Sequence, residues 1–193
     1  MNSMTQIGNI FVISAPSGAG KSSLVKAICK KDPKIRVSIS HTTRNMRPGD
    51  QHGVDYYFVD AAEFNIMLNN NEFLEHALVY GNYYGTNKNK INELISNGYD
   101  IILEIDWQGA KQIKQQNPAA ILIFILPPSL DELEKRLRKR NTDSESVIKN
   151  RLSLAAEDIA HAKDFDVIIV NDNFDKTIDE LYSIILVHRI KIN

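Results

Sequence analysis

The stretch Ile10-Phe11-Val12-Ile13-Ser14-Ala15-Pro16-Ser17-Gly18-Ala19-Gly20-Lys21-Ser22-Ser23-Leu24-Val25-Lys26-Ala27-Ile28 decides how the rest of the chain is read. Its first four residues are too few for a helix and apolar on both faces, the pattern of a strand covered on both sides in a parallel sheet. Its last five show helical spacing. Between them, Gly18 and Gly20 allow successive backbone N–H groups to turn toward one centre. The helix N-terminus adds partial positive charge there, and Lys21 supplies a point charge for outer phosphates. Ser22 is spaced to offer its hydroxyl to Mg²⁺. The motif G-x-x-x-x-G-K-[ST] has alanine, Ala15, at its first glycine; the loop tolerates this at negative φ and is strained at positive φ. The unit predicts a nucleoside triphosphate site.

Working outward, further short β-branched runs occur at Ile101 to Leu103 (continuing to Ile105), Ile121 to Leu126 and Val167 to Val170. Helical periodicity follows or separates them at Lys21 to Lys31, Ile91 to Asn97, Trp107 to Gln115, Leu130 to Arg140, Ser144 to His161 and Phe174 to Ile190. Alternating strand and helix give an α/β fold, a P-loop-type parallel sheet flanked by helices. From Ile35 to Tyr84 the pattern breaks into apolar–polar alternation with Gly49, Gly53 and Gly81, which predicts a small, partly antiparallel insertion. The charged segment Arg136 to Arg151 is a second candidate insertion.

The chain has 193 residues, with 23 Lys+Arg against 24 Asp+Glu. The length suits one domain with a sizeable core. One cysteine, Cys29, excludes a disulfide scaffold and points to a reducing compartment. A net charge of −1 argues against a broad nucleic-acid surface. No apolar run reaches the roughly 18 to 20 residues of a membrane span, and Met1 to Gln6 lacks signal-peptide character, so a cytoplasmic protein is expected. The five histidines show no ligand spacing, so no zinc site is expected.

Only eight arginines stand against fifteen lysines, and six of the eight fall in two groups. Arg44 and Arg47 form one; Arg136, Arg138, Arg140 and Arg151 form the other. Arginine's planar fork grips phosphate oxygens in two directions at once, so the two groups suggest two phosphorylated substrates. Arg136 and Arg140 share a helix face, while Arg138 lies off it and reads as solvated. Glu104 and Asp106, two apart at the end of a core strand, are expected to emerge on one side. There they are placed to hold Mg²⁺ through water, position a phosphate or grip a base, and Asp106 also suits a helix N-cap.

In combination, SAPSGAGKSS (14–23), SISHTTRNMRPGDQHGVDYYFV (38–59), EFLEHALVYGNYYGT (72–86), ILEIDWQGA (102–110), KRLRKRNTDSESVIKNRL (135–152) and VIIVND (167–172) resemble guanylate kinases, whose bacterial members also carry alanine at the Ala15 position. The resemblance covers nearly the whole chain. It implies a single domain of residues 1–193: a core (1–37, 88–137 and 152–193), a GMP-binding insertion at about 38–87 and a helical lid at about 138–151. It implies transfer of a phosphoryl group from ATP, with Mg²⁺, to GMP. Acceptance of dGMP and the oligomeric state are left open, and no nucleic acid or membrane is implied as partner. Ala15, Pro16, Ser17, Gly18, Ala19, Gly20, Lys21, Ser22 and Ser23 would bind ATP, with Asn171 near its adenine. Ser40, Arg44, Arg47, Tyr56 and Tyr84 would hold the GMP phosphate. Glu75, Thr86 and Asp106 would read guanine, with Gly85 and Glu104 beside them. Lys21, Arg44, Arg136, Arg140 and Arg151 would stabilise the group in transfer.

The chemistry suits that assignment. Guanine offers N1–H and the N2 amine as adjacent donors, which one carboxylate such as Glu75 accepts in parallel; adenine has no donor at N1. The wrong base leaves the carboxylate partly unpaired, costing about 1–3 kcal/mol. Two alternatives stand beside this reading: a kinase of the same architecture for another monophosphate, and a non-catalytic binding module with this fold.

Overall fold

The computed structural model describes residues 7–79, 81–139 and 144–190. At its centre lies β1 (Ile10–Ser14), all five residues buried. Parallel to it run β7 (Asp100–Glu104) and β8 (Ile121–Leu126), with β2 (Ile35–Val37) outside β7 and β9 (Val167–Val170) outside β8. The order is β2-β7-β1-β8-β9. Strand alternation sorts the core into two layers. Phe11 and Ile13 of β1, Ile102 of β7 and Ile123 of β8 face Leu24, Val25 and Ile28 of α1 (Lys21–Lys31) and Leu181 and Ile185 of α7 (Phe174–Arg189). Ile10, Val12, Ile101, Leu103 and Leu122 face Ile91 of α3 (Lys88–Ser96) and Ile113 of α4 (Trp107–Gln116). Being covered on both faces is why these strands are continuously apolar.

The break from strand–helix alternation comes later than Ile35. Ile35–Val37 belongs to the core sheet, paired parallel to β7. The second sheet follows, in the order β4-β3-β6-β5: β3 (His41–Thr42) pairs parallel with β4 (Tyr57–Phe58) and antiparallel with β6 (Asn82–Asn87), and β6 pairs antiparallel with β5 (Phe73–Val79). The same segment holds a helix that the alternation pattern did not suggest, α2 (Ala61–Asn69). Asp60 caps it, accepting from the Glu63 N–H at 2.8 Å. Its one buried residue, Phe64, stacks on Phe73 (4.6 Å) and Tyr83 (5.4 Å).

A second correction concerns the acidic pair. β7 ends at Glu104, and Asp106 lies beyond it as the N-cap of α4, its Oδ1 accepting from the Gly109 N–H at 3.0 Å. The carboxylates therefore leave the strand end by different backbone routes. Farther along, α5 (Leu130–Lys139) and α6 (Glu145–Ala160) pack through Leu133, Leu137, Ile148 and Ala155. Arg138 joins them, pairing with Glu134 of α5 and Glu145 of α6. Its side chain is 42% exposed, in keeping with the solvated position expected for it, but the bridge between the two helices was not anticipated.

Arg189 closes the core at the end of α7. Its Nη1 donates to Asp32 Oδ2 at 2.6 Å and its Nε to Asp100 Oδ2. The Asp32 and Asp100 side chains are only 10% and 3% exposed. Removing the guanidinium from two buried carboxylates should cost about 3 kcal/mol. Arg189→Ala is therefore expected to melt about 10 °C lower by calorimetry, and an unchanged melting temperature would show the clamp to be inert.

Candidate active site

The loop after β1 takes its shape from two left-handed residues, Gly18 (φ 98°) and Gly20 (φ 99°). A side chain at either would be strained and obstructed. A Cβ on Gly18 would lie 2.9 Å from Leu137 Cδ2, and one on Gly20 2.7 Å from Asn171 Nδ2. Asn71 is the one non-glycine residue with positive φ among those described, so Ala15 does not adopt the conformation that would have made it unsuitable. The Ala19 N–H donates to the Pro16 carbonyl at 3.1 Å, Ser17 is half-buried in the loop, and Ser23 is exposed on α1.

Lys21 begins α1. Burial lowers its pKa below the ordinary lysine value, while the charges of Glu104, Asp106 and Asp158 act in the opposite direction. The Ser22 hydroxyl donates to Glu104 Oε2 at 3.0 Å, which sets two oxygen ligands side by side at the mouth of the loop. Hard divalent cations bind such donors.

The second sheet supplies the opposite wall. Arg44 Nη2 donates to Asp50 Oδ2 at 2.9 Å, and the Arg47 backbone N–H donates to the same oxygen at 2.8 Å. The Arg44 guanidinium lies over the rings of Tyr56 (5.3 Å) and Phe58 (5.4 Å). Tyr56 meets Tyr84 edge-on at 5.8 Å. Burial first, then Tyr84 and Glu104, pushes the Tyr56 phenol up to about 12, so it remains a hydrogen-bond donor. Ser40 is buried, its carbonyl accepting from the Tyr57 N–H at 2.9 Å.

Between the walls sits Glu75 on β5, 3% exposed, with Thr86 of β6 directly opposite. The Thr86 hydroxyl donates to Glu75 Oε1 at 2.6 Å. Burial is the main reason the Glu75 pKa rises to about 7; Asp106 adds to the rise and the Thr86 bonds oppose it. Gly85 is closed in by the Phe73 ring, 2.7 Å from where its Cβ would stand.

A cationic phosphate loop thus stands with arginines and tyrosines around a buried carboxylate, and the chain that forms it is similar to known proteins over nearly its whole length. The family model described as guanylate kinase matches residues 7–187. A guanylate kinase of Coxiella burnetii is 52% identical over 183 residues, 95% of this chain and 89% of that one. One of Thiobacillus denitrificans is 54% identical over 177 residues, covering 92% and 85%. The crystal structure of guanylate kinase from Anaplasma phagocytophilum superposes with a TM-score of 0.79 at 35% identity, covering 97% of this chain and 89% of that one. The chain belongs to the guanylate kinase family.

In this guanylate kinase, Asn171, expected from sequence beside adenine, bonds the phosphate loop itself. Its Nδ2 donates to the Ala19 carbonyl at 2.8 Å, and its own carbonyl accepts from Arg136 Nη2 at 3.1 Å, so it ties the phosphate loop to α5. Arg136 also bonds Glu132 Oε1 at 3.2 Å, and Arg151 is half-buried on α6. Arg140 lies outside the described residues. Two participants were missed from sequence. Asp158, on α6, faces Lys21 and Asp106, and burial raises its pKa to about 6. Gly109 abuts Glu75 Oε2. Asp158 carried one visible signal, its place on the inner helix face three residues after the buried Ala155.

Glu75 makes the kinase pH-sensitive in a definite direction. Its folded pKa of about 7 exceeds the ordinary 4.5, so the folded state holds the extra proton between those values. Stability is therefore lost as pH rises through this window, by about 3 kcal/mol in all. His41, held neutral with its pKa down at about 4 chiefly by burial, acts with the opposite sign. The difference between wild type and Glu75→Gln isolates the carboxylate: urea melts from pH 4.5 to 7.5 should show the variant gaining relative stability as pH rises. A constant difference would refute the assignment.

Proposed function

We propose that this kinase carries out ATP + GMP → ADP + GDP by in-line phosphoryl transfer, with the acceptor between the second sheet and the phosphate loop. The observation that carries the reading is the buried Glu75 carboxylate, fixed on Thr86; a carboxylate so held suits a base whose edge offers two adjacent donors. Guanine has that edge. Asp106, held at the first turn of α4, supplies the second base contact.

Transfer of this kind needs placement and charge neutralisation more than covalent help. Lys21 and the loop N–H groups hold the donor phosphates. Arg44, Arg47, Tyr56, Tyr84 and Ser40 hold the acceptor phosphate. Arg44, Arg136 and Arg151 would stabilise the group in flight, with Asn171 keeping Arg136 registered to the loop, and the same role is proposed for Arg140 from its sequence position alone. Ser22 would hold Mg²⁺ with the ATP phosphates, Glu104 acting through water; the ion would supply charge neutralisation between phosphate oxygens. Residues 38–87 form the acceptor-binding unit and 138–151 the lid. The working location is the cytoplasm; among the described residues no helix is long and apolar enough to cross a membrane.

Coupled ADP release with GMP, AMP, CMP and dTMP tests the reading. GMP should exceed AMP in kcat/KM by at least about a hundredfold, because a site built to pair a donor rejects a base that lacks it. Equal turnover of AMP would overturn it.

A further inference from the structure

Gly109 is the third residue of α4, buried, and absent from the residues with positive φ, so its backbone does not require glycine. Glycine is a poor choice for a helix whose conformation alanine would adopt more readily. The reason lies in space. A Cβ there would stand 2.6 Å from Glu75 Oε2, 3.2 Å from Glu75 Cδ and 3.1 Å from Ile105 Cδ1. Glu75 has little freedom to yield: it is 3% exposed, its Oε1 is held by Thr86 at 2.6 Å, and its backbone is paired across β5 and β6. At the same residue, the Gly109 N–H donates to Asp106 Oδ1 at 3.0 Å, and Gln108 Nε2 donates to Asp106 Oδ2 at 3.1 Å.

We propose that Gly109 is a specificity-positioning residue: its missing side chain forms the slot that seats the Glu75 carboxylate, while its N–H seats Asp106. The two acidic groups come from different parts of the fold, β5 of the second sheet and the N-cap of α4 beyond β7, and Gly109 is the point at which both are registered. This rests on reading Glu75 and Asp106 as the partners of guanine. Displacing Glu75 Oε2 weakens the contact to N1–H and N2 without touching the ATP side, and misplacement by about 1 Å can cost about a hundredfold.

The test compares Gly109→Ala, Glu75→Ala and the double variant, with ATP and either GMP or IMP, which lacks the N2 amine. Gly109→Ala should raise the KM for GMP about tenfold or more, leave the KM for ATP within about twofold, and narrow the preference for GMP over IMP. In the Glu75→Ala background the same change should cost nothing further, because the slot is empty. Equal losses in both backgrounds, or an unchanged GMP KM in Gly109→Ala beside a raised one in Glu75→Ala, would overturn the inference alone. An unchanged KM in Glu75→Ala would overturn the base-reading assignment with it. If Gly109→Ala fails to fold, recovery of the melting temperature in the double variant supports the steric pairing, and failure to recover refutes it.

Discussion

Lys21→Ala is expected to lower GMP-dependent ADP formation about a thousandfold, the scale set when a cation on the transferring group is lost. Lys21 lies at the N-terminus of α1, where the helix already offers partial positive charge; burial lowers its pKa, and Glu104, Asp106 and Asp158 oppose that lowering. Circular dichroism should be unchanged while single-turnover rates collapse. Retention of a tenth of the wild-type rate would end the assignment of this loop to phosphoryl transfer.

Arg44→Ala should reduce kcat/KM for GMP by about 10² to 10³, since a bidentate, largely desolvated charge contact is lost at the acceptor phosphate. The loop around it should hold its shape. Asp50 is also held by the Arg47 backbone N–H, the largest single cause that lowers its carboxyl pKa, and that bond survives the substitution. Arg44→Lys restores the charge but not the fork and should recover only about tenfold of the loss. Full recovery by lysine would show that the guanidinium acts as a point charge, and the stacking on Tyr56 and Phe58 would then be packing.

The parts legible in sequence were those whose signal is local. The strand–loop–helix unit spans consecutive residues, and α1 begins and ends where its periodicity does, at Lys21 and Lys31. The alternation pattern absorbed β2 into the insertion, although the family resemblance put residues 1–37 in the core, because the strand is three residues long with one buried side chain, Ile35. Such a strand is specified by its neighbour β7, about sixty-five residues later, and not by its own pattern. α2 buries only Phe64, too little to generate a helical stripe against the surrounding alternation. In the site, the phosphate-loop and arginine positions were visible because their chemistry is carried by residue type. The work of Gly109 and Asn171 was invisible because it consists of where they sit. Gly109 matters through Glu75 on another sheet, and Asn171 through a carbonyl 152 residues away. Asp106 was legible both as a strand-end residue and as a helix N-cap, and the second placement is the one it has, since a strand and a capped helix start both put a carboxylate near the sheet edge.

The strand order carries a consequence for how the molecule is made. β1 leaves the ribosome first of all the strands, yet Ile10 pairs with Ile101 and Phe11 with Ile121. At roughly 5–20 residues per second, this fully buried strand waits roughly 5 to 20 s for its second neighbour. Through that interval Ile10–Ser14 is an unpartnered β-segment in a nascent chain, while the second sheet, whose strands lie between His41 and Asn87, has every partner already synthesised. The acceptor-binding sheet can therefore assemble before the core that it is inserted into, and the period of greatest aggregation risk ends only when β8 emerges.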